Sequence, residues 1–307
     1  YMELAMDERK ALDQTASSLM IVLCMVWGLQ QVILKMAASD ISPLMQIALR
    51  SGLAALLLLP LVLLDQKSQL MNPKNVKAGA LVAVLFSLEF FLLAQALQLT
   101  SASHAVVLLY TAPIFVALGL HWKLPSERLT LLQWTGIGIA FIGIVVTFIR
   151  PQQIGVNTFQ QQMLWGDLYA LAAAIAWAAT TVTVRLSSLA QAAVTQTLFY
   201  QLAVSFILLL GLAFFMGQAV VQWTPLVIGS LAFHTLIVSF ASFLAWFWLL
   251  RNYLASRLGV FSFLTPLFGI IFGVWLLDEN IEVNFIFGMA LVLLGILVVS
   301  LQGWLRK

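Results

Sequence analysis

Apolar runs long enough to cross a bilayer occupy almost all of this chain, and only short polar breaks separate them. A helix needs roughly 20 apolar residues to span about 30 Å of hydrocarbon. Measured against that length, the sequence predicts ten spans, at 16–36, 43–64, 77–98, 102–121, 131–149, 164–186, 193–215, 224–249, 255–276 and 283–303. Breaks such as "SDISP", "TSAS", "SSLAQ" and "LDENIE" leave no room for a domain outside the membrane. Composition agrees, since 62% of the 307 residues are hydrophobic and 9% charged, against about 25% charged in soluble domains. The expected fold class is therefore an all-α integral membrane protein. The first run is itself long enough to span and is followed by further spans, so no cleavable leader is expected.

Charge placement orients the spans, because cytoplasmic loops collect Lys and Arg. With the N-terminus inside, the cytoplasmic breaks hold Arg9, Lys10, Lys67, Lys74, Lys77, Lys123, Arg128, Arg185, Arg251, Arg257, Arg306 and Lys307. The opposite side holds only Lys35 and Arg150, and Arg50 falls within the second span. Both termini are thus expected in the cytoplasm. The same asymmetry accounts for the net charge of +3 without an anionic partner, and no basic cluster suggests nucleic acid.

The sequence also repeats itself. "WGLQQVILK" (Trp27 to Lys35) aligns with "WAATTVTVR" (Trp177 to Arg185), and "YTAPIFVALGL" with "FLTPLFGIIFG", which pairs Pro113 with Pro266. "SERLTLLQWTGIGIAFIGIVVTF" then aligns with "DENIEVNFIFGMALVLLGILVVS", pairing Glu127 with Glu279, Gly136 with Gly288 and Gly143 with Gly295. Three matches in one order predict two five-helix repeats, 16–149 and 164–303, between a tail at 1–15, an extracytoplasmic linker at 150–163 and a tail at 304–307. An odd number of spans per half inverts the second half. Inverted repeats are a common construction of secondary transporters, with the substrate site near the midplane between the halves.

Enzyme chemistry finds little support. The three His are scattered, Cys24 is the single cysteine and lies in an apolar run, and no Walker, GxSxG or HExxH motif occurs. No nucleotide-binding module is present to let ATP drive the chain directly. No cofactor is expected; the expected partners are a small-molecule substrate, the lipid bilayer and, in one reading, protons.

"VWGLQQVILK" in the first span, Arg50 in the second and the "P…G…E…G…G" block closing each half resemble the EamA family of the drug/metabolite transporter superfamily. The resemblance covers about residues 16–303. It implies ten helices in two inverted halves around a central cavity lined by spans 1, 3, 4, 6, 8 and 9. It also implies a bacterial inner-membrane exporter of amino acids, other metabolites or toxic organic compounds. The second half departs from the first where "WAATT" stands in place of "WGLQQ", and Glu89 and His234 match no general family pattern.

Several residues are candidates for the site. Trp27, Gln30, Gln31 and Leu34 share one helix face. Two glutamines facing lipid would be costly, so this face points either to interhelical hydrogen bonds or to a wet cavity. Trp177, Thr180, Thr181 and Val184 form the counterpart face, where Ser and Thr also serve as packing glue. Pro113 and Pro266 interrupt corresponding helices and mark either hinges or packing kinks, with Tyr110 just before the first. His234, Ser242 and Trp246 lie close to one face of span 8, and the ordinary pKa of a histidine, about 6.5, lies near neutrality. Asp167 reads as a helix cap, Lys35 and Arg185 as helix-end cations, and His104 and His121 as residues near span ends.

Glu89, in "FSLEFF", stands near the middle of span 3. A charged acid there costs about 2.5–3.5 kcal/mol on insertion scales, so it should face inward. It either titrates in a cavity or pairs with Arg50 on the neighbouring span. The expected function is secondary export of small amphipathic organic molecules (amino acids, related metabolites or drugs) by alternating access, with proton coupling through Glu89 and His234 as one option. An uncoupled facilitator and, further off, a receptor or scaffold are the alternatives. A monomer or weak dimer is compatible with the sequence.

Overall fold

A polar cap followed by proline starts three of the helices. Ser42, Asn72 and Thr224 each turn a side-chain oxygen onto a free N–H of the first turn, and Pro43, Pro73 and Pro225 take the next position, where a missing N–H costs nothing. The structure, a computed structural model, describes residues 13–66, 68–123, 129–148, 157–253, 262 and 264–305. Glu127 and the basic residues Arg9, Lys10, Lys67, Arg128, Arg150, Arg257, Arg306 and Lys307 lie outside them.

The helices in chain order are α1 (Gln14–Met36), α2 (Pro43–Leu64), α3 (Pro73–Leu99), α4 (Ala102–Leu109), α5 (Ala112–Lys123), α6 (Leu131–Phe148), α7 (Asn157–Leu186), α8 (Val194–Phe215), α9 (Pro225–Ala232), α10 (Phe243–Asn252), α11 (Leu264–Leu277) and α12 (Val283–Leu305). A π-helical segment, Phe233–Ser242, joins α9 to α10. Among the described residues the only extended pairing is an isolated bridge between Ile41 and Val221. Seven helical stretches among the described residues are long and apolar enough to cross a membrane: α1, α2, α3, Ala102–Lys123, Gln161–Leu186, α8 and Pro225–Trp246. Leu131–Thr147, Leu264–Leu277 and Val283–Val298 are shorter apolar stretches, where the sequence suggested full spans. The protein is an all-helical, multi-pass membrane protein.

Two spans differ in detail from the apolar pattern. α3 begins four residues before the expected Lys77, because Asn72 and Pro73 supply a start signal inside a polar stretch that hydropathy reads as loop. The fourth run breaks at Tyr110–Thr111: Pro113 has no N–H to donate backwards, and the chain tightens locally as the Thr111 N–H bonds the Leu108 carbonyl at 3.2 Å. Its sequence counterpart Pro266 occupies the first turn of α11, where proline is tolerated, and residues 254–261 and 263 before it are outside the described set.

Large apolar side chains such as Leu56, Leu63, Ile142, Ile207 and Phe215 are exposed around the bundle, as lipid-facing surface should be. The interior joins Val32 and Leu34 of α1, Ile47 of α2, Leu93 and Leu97 of α3 and Val106 and Leu108 of α4 in one buried cluster. Helices pair closely where side chains are small. Gly143 of α6 lies so near α12 that a Cβ there would stand 2.6 Å from the Gly288 carbonyl oxygen, and a Cβ on Gly295 would come closer still to the Gly136 carbonyl. Loops pin one another at two places. The Thr224 hydroxyl donates to Asp40 at 2.7 Å between the α1–α2 and α8–α9 connections, and Thr195 donates to Asp65 at 3.0 Å between the start of α8 and the end of α2.

Candidate functional site

Sequence spacing places Gln30 and Gln31 on the inner face of α1, and the structure uses the two differently. The Gln30 side-chain oxygen accepts from Arg50 Nη1 of α2 at 3.2 Å, and its backbone carbonyl faces His234 Nε2 at 3.0 Å. Gln31 is buried to 1% exposure, and neither end of its amide has a hydrogen-bond partner. Arg50 is buried too. Its guanidinium lies 4.6 Å from the centroid of the Phe90 ring, and its Nε is unpartnered. Glu89 is 5% exposed and feels the Arg50 charge, yet no ion pair within 4.0 Å joins the two, and its Oε2 has no partner. Arg50 spends its contacts on Gln30 and Phe90 instead.

His234 closes the other side of this group. Its Nδ1 lies 2.7 Å from the Ser230 carbonyl and its Nε2 faces the Gln30 carbonyl. Both are pure acceptors, so a ring with one N–H satisfies one contact, and only a doubly protonated ring satisfies both. The Ser230 hydroxyl continues the chain to Gln46 Oε1 at 2.7 Å, and Gln46 Nε2 donates to the Leu34 carbonyl at 3.0 Å. Gln30, Arg50 and His234 therefore tie α1, α2 and the π segment together.

The π segment sets this geometry. An i→i+5 turn is rare and tends to mark functional sites. Here it places His234, Thr235, Val238, Ser239 and Ser242 on the buried side, following buried Ser230 of α9. Ser242 accepts from the Trp27 indole Nε1 at 3.0 Å while donating to the Val238 carbonyl at 2.5 Å. Trp246 meets Trp27 edge to face, with centroids 5.7 Å apart. Ser242→Ala would strand the indole N–H, which costs about 1–3 kcal/mol when buried. A lower unfolding temperature in detergent is the expected result, and Thr181→Ala is expected to leave it unchanged.

A second aromatic pair lies across α4 and α7, where Tyr110 and Trp177 meet edge to face at 5.4 Å. Cys24 and Thr265 sit beside Tyr110, so this pair borders α1 and α11. Tyr110 stands at the helix break before Pro113. Thr181 is not drawn in: it is exposed, and its hydroxyl bonds the Trp177 carbonyl of its own helix at 3.1 Å. The structure thus joins Gln30, Arg50 and His234, links Trp27, Ser242 and Trp246, and pairs Tyr110 with Trp177. Spacing along the sequence does not single out Ser230, Gln46 or Phe90. Ser230 four residues before His234 was a usable signal; Gln46 and Phe90 were not distinguishable by spacing from packing residues.

The sequence profile of the EamA-like transporter family matches residues 14–149 and again 164–301. An uncharacterized transporter of Bacillus subtilis (strain 168), YoaV, is 25% identical over 284 residues, spanning 92% of this chain and 96% of that protein. A probable amino-acid metabolite efflux pump of Escherichia coli (strain K12) is 25% identical over 288 residues, covering 91% and 93%. A chain of known crystal structure superposes with a TM-score of 0.65 over 96% of this chain and 100% of its own length, at 19% identity, which establishes a shared fold alone. With the profile matching both halves, the chain belongs to the EamA-like transporter family and is a membrane transporter, not an enzyme.

Proposed function

We propose that this transporter is a secondary exporter of small amphipathic organic molecules, amino acids and related metabolites foremost, working by alternating access. Its two inverted five-helix halves, 16–149 and 164–303, rock around a central cavity, in a bacterial inner membrane with both termini cytoplasmic. The observation that carries the reading is the set of buried polar groups left open within the helices: Glu89 Oε2, both ends of the Gln31 amide and Arg50 Nε. Buried polar atoms are expensive to leave unpaired, so their persistence together suggests a site that a ligand or a proton completes. In this scheme the Trp27–Trp246 and Tyr110–Trp177 pairs supply its apolar walls. The name of the E. coli relative, an amino-acid metabolite efflux pump, agrees in substrate class.

The inverted halves draw support from helix pairing. Exchanging each helix for its sequence counterpart maps the contact of α3 with α8 onto that of α2 with the π segment. The same exchange maps α1 with α11 onto α7 with α4 and α5. Gly143 against Gly288 and Gly136 against Gly295 are likewise exchanged for one another. Pro113 and Pro266 serve as hinges in this scheme. Proton coupling runs through Glu89 and His234, the latter because a second ring proton adds a hydrogen bond to a backbone carbonyl. Counterflow in proteoliposomes, with unlabelled compound inside and traces of labelled amino acids, nucleosides or organic cations outside, identifies the substrate. Exchange of at least one amino acid is expected; exchange confined to another class would overturn the proposed substrate.

A further inference from the structure

The strongest unassigned feature lies away from these groups, at the junction between α3 and α4. Three charged side chains from three other elements grip it. Lys35 Nζ of α1 donates to the Leu97 carbonyl at 3.0 Å and to the Thr100 carbonyl, at the negative end of α3. The Glu279 carboxylate, between α11 and α12, accepts from the Ala102 N–H at 2.6 Å, the Ser103 N–H at 3.0 Å and the Ser103 hydroxyl at 2.6 Å, at the positive end of α4. Asp167 of α7 accepts from the Thr100 hydroxyl at 2.5 Å and meets His104 Nδ1 at 3.2 and 3.1 Å.

Chemistry assigns the His104 tautomer. A carboxylate only accepts, so Nδ1 must carry the hydrogen that faces Asp167, and in a neutral ring Nε2 then carries a lone pair. That Nε2 is buried and has no hydrogen-bond partner. The ring lies flat on Phe285 of α12, with centroids 3.9 Å apart and planes 10° apart. The carboxylate behind the ring and the aromatic face beneath it are the groups that favour an added proton. The product is an imidazolium held by a charge-assisted hydrogen bond to Asp167 and a cation–π contact with Phe285.

We propose that His104 is a proton-binding residue of an extracytoplasmic gate, in which protonation locks the α3–α4 junction against α1, α7 and α12. The side of the membrane rests on the orientation proposed above; the proton site does not. Around the imidazole, the charged groups are Lys35 from α1, Asp167 from α7 and Glu279 from the α11–α12 connection. Asp278 and Glu282 lie further along that connection, the first exposed and the second half-buried, and Tyr169 lies on α7. α3 contributes no titratable group at the junction. Because the closed form binds the extra proton, acidification favours it and alkaline pH releases it.

The test uses the full chain in sealed vesicles, with Cys24→Ser and a reporter thiol at Gln31→Cys, one turn below Lys35. Reaction with a membrane-impermeant thiosulfonate is followed from each side, with and without His104→Gln. Glutamine still donates to Asp167 but cannot take a proton, so it also controls for the acid sensitivity of the thiol itself. Between about pH 8 and about pH 5, bracketing the ordinary histidine value, the rate in the His104 protein is expected to fall about tenfold relative to the His104→Gln protein. Parallel pH profiles would overturn the proposal. A pH-dependent difference seen only from the other side would reject the orientation and keep the proton site. Should His104→Gln not fold, mass-spectrometric exchange of the His104 ring C2–H reads its protonation in the unaltered chain. An exchange rate that changes with pH is expected, and one that stays constant throughout would overturn the proposal.

Discussion

Glu89→Gln is expected to leave a folded, monodisperse protein that no longer accumulates substrate in response to a pH gradient. A charged acid at mid-membrane costs roughly 2.5–3.5 kcal/mol on insertion scales, so the neutral amide should hold or raise the unfolding temperature. Coupling free energies of about 1–3 kcal/mol correspond to roughly 5–150-fold effects, so losing the coupling group should lower gradient-driven accumulation by at least about tenfold. Counterflow, which needs binding and reorientation but no proton, should persist. The outcome separates the two roles left open for this residue. A structural partner of Arg50 would leave a buried cation alone when neutralised, and the variant would lose stability instead. The absence of an ion pair within 4.0 Å, with Arg50 engaged by Gln30 and Phe90, favours the first result.

The second large effect is on assembly. Gly143→Val with Gly295→Val places branched side chains where even a Cβ meets backbone on the facing helix: the Gly288 oxygen and the Val292 nitrogen for one, the Gly136 oxygen and the Ala140 nitrogen for the other. Backbone cannot rotate aside as a side-chain tip can, so α6 and α12 must separate. Overpacking costs about 1–3 kcal/mol per site, and two sites on one interface should compound. We expect the double variant to aggregate on extraction or to unfold well below the parent in a detergent melt. Gly138→Val on α6, where an added Cβ meets nothing within 4 Å, should behave like the parent.

Apolar run length was enough to read the class of this protein, because hydrocarbon thickness imposes one length on every spanning helix. Start signals beneath the hydropathy, such as Asn72–Pro73, were legible only as caps, and this is why α3 extends further than its apolar run. The face carrying Trp27, Gln30 and Gln31 was visible by spacing alone, since those residues share one regular helix. His234, Ser242 and Trp246 were approximately aligned, but the π segment between them has a different period, and no local pattern announced it. Pairing with Arg50 was one of the two roles the sequence left open for Glu89. The preference of Arg50 for Gln30 and Phe90 depends on how three helices cross, which spacing along any one of them does not encode. Of the three groups that hold the α3–α4 junction, the sequence offers Asp167 as a cap, Lys35 as a helix-end cation and Glu279 only as the repeat partner of Glu127. Each reading was locally reasonable, and only the fold brings the three to Thr100–Ser103.

We propose that the open polar groups move a substrate in exchange for protons. The most direct measurement is accumulation of the counterflow-positive amino acid in proteoliposomes of the unaltered protein, with and without an imposed pH gradient. Uptake above equilibrium when the lumen is acid relative to the bath, abolished by a protonophore and absent from Glu89→Gln vesicles, is the predicted result. Equilibration at one unchanging rate, whatever the gradient, would contradict it.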